Sequence, residues 1–122
     1  MTSAKAAGDR GEALVARYLQ EAGYTLLDRQ WRCRFGELDL VARSREGIVC
    51  FVEVKLRKSA AFGGAGEFVD RRKQNKLRLT AELYLSCHQT RLQPRFDVIE
   101  VYAPQGTDTK APRVRHIENA FF

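Results

Sequence analysis

A chain of 122 residues is long enough for one domain with one modest core. Its longest apolar run, Ile48 to Val52, is far short of a membrane span, and the opening MTSAKAAGDRGEA lacks the apolar centre of a secretory signal, so a soluble cytoplasmic protein without a membrane is expected. Twenty-one Lys and Arg against fifteen Asp and Glu give a net charge of +6, which favours a polyanionic partner without demanding one, and three scattered cysteines (Cys33, Cys50, Cys87) with no CxxC pair indicate neither a disulfide framework nor a zinc knuckle.

Residues 4 to 22 place Val15, Tyr18, Leu19 and Ala22 at helical spacing, with Gly23 able to end the helix in the left-handed region. Strand formers follow in YTLLDRQWRC (24 to 33), in the alternating ELDLVAR (37 to 43) and in GIVCFVEVKLR (47 to 57), where Cys50 reads as core. KSAAFGGAGEF (58 to 68) reads as a mobile loop because GGAG sets four small or flexible residues in a row. A second helix is predicted over 70 to 86, capped by Asp70 and apolar at Leu77, Ala81, Tyr84 and Leu85. RFDVIEVYA (95 to 103) is a further strand, APQGTDTKAP a turn-rich connection, and VRHIENAFF a last strand or tail. The order predicts an α/β (α+β) domain, a central mixed sheet with helices packed on it, and shows no repeat or linker.

FVEVK (51 to 55) sets Glu53 and Lys55 into an otherwise apolar strand. Ile48, Cys50, Val52, Val54 and Leu56 form one apolar face, while the other runs Val49, Phe51, Glu53, Lys55, Arg57 and turns ionic halfway. Such a strand is either central, with its far end opening into a cleft, or an amphipathic edge carrying a solvated ion pair. A three-residue loop Arg45-Glu46-Gly47, with Gly47 left-handed, would pair Ser44 with Ile48 and set Asp39 opposite Glu53. Facing carboxylates are destabilising unless a cation sits between them. Lys55 supplies one positive charge; Mg²⁺, which takes one or two carboxylates plus waters and phosphate oxygens, would supply two. Glu12 lies on the inward stripe of the first helix with Val15, Ala16 and Leu19, although a first-turn glutamate is also favoured by the helix dipole. Lys73 and Gln74 prolong the stripe of the second helix in the same manner, so both helices are expected to present polar groups to one cleft.

GExLVARYLxxxGY (11 to 24), RQWRCRFGELDLVAR (29 to 43), FVEVKLR (51 to 57), RKQNKLRLTAELYL (72 to 85) and RFDVIEV (95 to 101) together resemble the bacterial YraN-like family over nearly the whole chain. That family is similar to the restriction-endonuclease-like fold and, within it, to the archaeal Holliday junction resolvases, through a D-x(n)-E-x-K pattern that reads here as Asp39, Glu53 and Lys55. Leu38 stands where many nucleases of this superfamily have Pro, and Gln30 where Asn is more usual in the family. The resemblance implies Glu12, Asp39, Glu53 and Lys55 as the active-site set, with Asp39, Glu53 and the Val54 carbonyl as ligands of Mg²⁺ or Mn²⁺. The expected function is metal-dependent hydrolysis of phosphodiesters in structured DNA, in repair or recombination, with room for a homodimer. Arg57, Lys58, Arg71, Arg72, Lys73, Lys76 and Arg78 flank the Gly-rich segment as a phosphate-gripping rim or as a solvated helix face. A silent nucleic-acid-binding module and a basic adaptor for an acidic protein are the competing functions.

Overall fold

A computed structural model describes residues 4–57, 69–103, 110 and 112–121. Along the chain run α1 (Ala4–Glu21), β1 (Thr25–Cys33), β2 (Gly36–Arg43), β3 (Ile48–Arg57), α2 (Arg71–Cys87), β4 (Gln93–Tyr102) and β5 (Arg113–Phe121). The strands form one sheet in the order β1-β2-β3-β4-β5. The β3–β4 pair is parallel and the others are antiparallel, so the sheet is mixed. This is the expected α+β architecture, consistent with a restriction-endonuclease-like domain, and Arg113–Phe121 forms a paired strand rather than a tail. The GGAG segment, Lys58 and most of the connection before β5 lie outside the described residues.

Alternation along β3 divides the core between its two faces. Cys50 and Val52 pack with Leu40, Ala42, Ile99 and Val101 under Val15, Ala16 and Leu19 of α1. Val49 and Phe51 pack with Val41 and Val98 under Leu77, Ala81 and Tyr84 of α2. The central strand is therefore covered on both sides until its last residues, as the two-faced apolar pattern of IVCFV requires. Gly23 ends α1 at φ 95°, and the Tyr24 amide closes the cap onto the Leu19 carbonyl at 2.9 Å. Asp70 caps α2 by accepting from the Lys73 amide at 2.8 Å.

The β2–β3 register matches the expected one. Leu40 pairs with Val52 and Arg43 with Val49. The Ser44 amide donates to Ile48 O at 2.8 Å, and Gly47 stands at φ 84°. A polar cluster around the fully buried Asp97 ties β4 and β5 to α1: Asp97 accepts two 2.8 Å bonds from Arg95 and a 3.0 Å bond from the Asn119 amide, and lies 2.7 Å from His116 Nε2. Tyr18 of α1 reaches His116 Nδ1 at 3.1 Å, and Tyr24 accepts from Arg95 at 2.8 Å. Burial alone would raise the Asp97 carboxyl, but the bonds from His116, Arg95 and Asn119 outweigh it and hold the pKa below the usual range.

A carboxylate and lysine cleft at the end of the central strands

The site is built where β2 leaves β3. Leu40 and Val52 are the last pair in their ladder among the described residues, and the next β3 donor, the Val54 amide, bonds not to a backbone carbonyl but to Asp39 Oδ2 at 2.9 Å. The strand also rolls over at this point. Leu40 packs in the α1 layer, whereas Leu38, two residues earlier and expected on the same face, packs in the α2 layer. Across the β1–β2 ladder, Arg29 pairs with Leu40 and Trp31 with Leu38, and Gln30 between them stands at φ 51°. That left-handed conformation is uncommon for a residue other than Gly, Asn or Asp. Asn would suit the position better, which gives the departure at Gln30 a physical meaning.

From this kinked position Gln30 Nε2 bonds Glu12 Oε1 at 3.1 Å and Asp9 Oδ1 at 3.0 Å. It thereby fixes the Glu12 side chain midway along α1; because the helix begins at Ala4, Glu12 is not the first-turn glutamate that the helix dipole would favour. Gly11 lets α1 approach β3 there: a Cβ at this position would lie 2.6 Å from a Leu56 methyl, which would have to move.

Asp39 and Glu53 line one small hollow together with Leu38, Phe51 and Leu77. Burial, and next the Glu53 charge, push the Asp39 pKa up to about 7, with Glu12 adding in the same direction and the Val54 amide opposing. Glu12 is raised as well, by burial first and then by Asp9 and Glu37, against the Gln30 bond. Glu53, 8% exposed, is neutralised from two sides. Lys73 Nζ of α2 bonds Glu53 Oε1 directly, and Lys55 Nζ lies 3.4 Å from the same oxygen. Burial and the neighbouring Lys73 hold Lys55 below the ordinary lysine range; for Lys73 burial is the largest influence and opposes the charge, but the bonds to Glu53 and Lys55 and the Glu53 and Asp39 charges together raise it.

The structure thus brings Asp39, Glu53 and Lys55 together, with Glu12 close enough for its charge to reach Asp39. Lys73 belongs to the cleft as well as to the rim, which its place on the inward stripe of α2 foreshadowed. Gln74 instead turns back to the Val69 carbonyl at 2.8 Å. Gln30 is the positioning group that sequence reasoning passed over, since its role depends on a backbone kink that no residue pattern announces. Of the rim, Arg71, Arg72 and Lys76 are exposed on the first turns of α2. Arg57 bonds Glu100, itself 1% exposed, at 3.3 Å, and Arg78 is engaged by Asn75 at 2.7 Å.

The donors fit a hard divalent cation. Asp39 and Glu53 line one hollow, and Asp39 carries a pKa raised first by burial and next by the Glu53 charge, so a cation there would favour its ionised form. Among the described residues no three His, Cys, Asp or Glu side chains cluster closely enough to enclose an ion. One or two carboxylates are the protein share that Mg²⁺ takes when it keeps waters and phosphate oxygens.

Residues 11–101 match the model of "Uncharacterised protein family UPF0102". The chain is similar to the UPF0102 protein TTE1452 of Caldanaerobacter subterraneus subsp. tengcongensis, 44% identical with 96% of this chain and 95% of the relative covered. It is similar to UPF0102 proteins of Stutzerimonas stutzeri, 42% identical over 99% and 98%, and of Desulforamulus reducens, 40% identical over 95% of each.

Proposed function

The chain belongs to the UPF0102 family, and from the cleft described above we propose that it is a divalent-metal-dependent phosphodiester hydrolase acting on structured DNA. The convergence of Asp39 and Glu53 beside Lys55 carries this reading. Asp39, Glu53 and the Val54 carbonyl would hold Mg²⁺ or Mn²⁺. When bound, the ion supplies charge neutralisation at the phosphate and a lowered pKa for the attacking water. Lys55 orients that water and offsets the charge that grows on the phosphoryl oxygens. Glu12, held by Gln30, keeps a further carboxylate facing the approach to Asp39. Hydrolysis places the water oxygen on phosphorus, breaks one phosphorus–oxygen ester bond and leaves a phosphate and a hydroxyl. Arg71, Arg72 and Lys76 grip neighbouring phosphates; they carry no sequence information, so the substrate is selected by shape. A homodimer would present two such clefts to one branched substrate.

One observation favours the silent binding module instead: Glu53 is already neutralised by two lysines, which is also what a cleft without turnover would keep. A panel of four-way junction, flap, linear duplex, single-stranded DNA and RNA, incubated with Mg²⁺, Mn²⁺ or EDTA, separates the two. The hydrolase cleaves a DNA member of the panel with metal and none with EDTA. Binding of DNA with no cleavage under any condition would establish the module.

A further inference from the structure

The pair between Lys73 and Glu53 has a consequence beyond the hydrolase reading, on which it rests. Glu53 Oε1 receives both Lys73 and Lys55, and Lys73 is the nearer. Lys73 reaches it from another element, at the third residue of α2, where Asp70 pins the Lys73 amide. Lys55 reaches it from two residues along the same strand. A divalent cation on Asp39 and Glu53 would have to share that carboxylate with an ammonium already seated on it, and like charges at such range repel.

We infer that Lys73 is an internal occupant of the metal site: it neutralises Glu53 while the site holds no ion, and it is displaced from the carboxylate when a divalent cation binds. The displaced ammonium sits on the α2 turn that carries Arg71 and Arg72, both exposed, so it adds one phosphate contact to that rim. Metal occupancy and phosphate gripping are thereby linked through one side chain. By reciprocity, a phosphate that draws Lys73 away favours the metal as much as the metal favours the phosphate.

The test reads metal affinity directly, with no nucleic acid present. Mn²⁺ binding is measured by calorimetry on wild type, Lys73→Met and Lys73→Arg, and thermal melting is followed with and without Mn²⁺. Removing a unit positive charge beside a divalent ion is worth ~10-fold in affinity even in a water-like dielectric, so Lys73→Met binds Mn²⁺ about that much more tightly. Lys73→Arg, which keeps the charge, stays near wild type. Lys73→Met melts lower than wild type in metal-free buffer, and Mn²⁺ raises its melting temperature by more than it raises that of wild type. The gain in affinity disappears when Asp39→Asn is added, which places it at this cleft. Lys73→Met binding Mn²⁺ no more tightly than a wild type that does bind it would overturn the exchange and leave the metal site standing. A merely structural Lys73 gives that result, with lost thermal stability alone. Absence of Mn²⁺ binding in all three proteins would overturn the exchange together with the metal site. Binding by Lys73→Met only would be the exchange in its strongest form.

Discussion

Asp39 is costly to ionise where it stands. Burial and the Glu53 charge raise its pKa from 3.8 to about 7, so the folded protein holds a proton there that the unfolded chain has lost. The stability linked to that proton is complete below about pH 3.8 and is lost as the pH climbs through about 7. Asn cannot ionise but keeps a side-chain oxygen for the Val54 amide, so Asp39→Asn should melt higher than wild type at pH 8 in metal-free buffer. At pH 5 the difference should shrink. Melting curves at the two pH values check this, and a variant that melts lower than wild type at both would show that Asp39 is held favourably as a charge. The same proton must leave when a cation binds, so metal affinity should strengthen as the pH rises through this range.

At the level of elements, much of the cleft was readable in advance. Arg45-Glu46-Gly47 is a loop of the length and residue type that sets antiparallel parity, and the parity puts Asp39 and Glu53 on facing strands. The apolar stripes of α1 and α2, and the two-faced apolar run of β3, also assign themselves, because 3.6 and 2 are distinct periods. What could not be read is the roll of β1 and β2 at Gln30 and Asp39. ELDLV alternates regularly, which predicts Leu38 and Leu40 on one face, yet they pack against different helices. The break follows from the backbone of Gln30 at φ 51°, a conformation that Gln rarely signals. Lys73 was visible on the inward stripe, but its pairing with Glu53 depends on how far the first turn of α2 reaches over the end of β3. The buried Asp97 cluster was hidden too. RFDVI reads as ordinary strand alternation, and the partners His116 and Asn119 arrive from β5, whose sequence has a weak pattern of its own.

The whole molecule carries a charge of +6, and its exposed Arg71, Arg72 and Lys76 stand on the same first turns of α2 as Lys73, which reaches Glu53. If these residues grip phosphates, affinity for duplex DNA should fall with salt at a slope of roughly −0.9 per phosphate neutralised. Replacing Arg71 and Arg72 by Ala should then reduce the slope by up to about 2. Titrations between low and moderate salt read this directly; an unchanged slope would return the two arginines to the solvated face of α2. Among the described residues no helix is long and apolar enough to cross a membrane. The Asp97 cluster favours the fold less in acid. Its depressed carboxyl contributes stability that is present above pH 3.8 and lost as the pH falls through its lower folded value. Asp39 acts in the opposite sense, so the contributions of these two groups are present together only between about pH 3.8 and about 7.

Lys55 distinguishes hydrolysis from structure more sharply than any other residue of the cleft. It lies 3.4 Å from Glu53, and Lys73 is nearer, so Lys55→Ala leaves Glu53 paired. The variant should keep its fold, with stability within ~1 kcal/mol of wild type. It should bind DNA with most of the wild-type affinity, and it should lose turnover by ~10²-fold or more, because the missing charge acts mainly on the transition state. Melting and Mg²⁺-dependent cleavage of a branched duplex, measured on one preparation of each protein, give the answer. Near-equal melting with cleavage reduced at least that far is the predicted result; a large drop in melting temperature, with no metal-dependent cleavage by wild type, would contradict it.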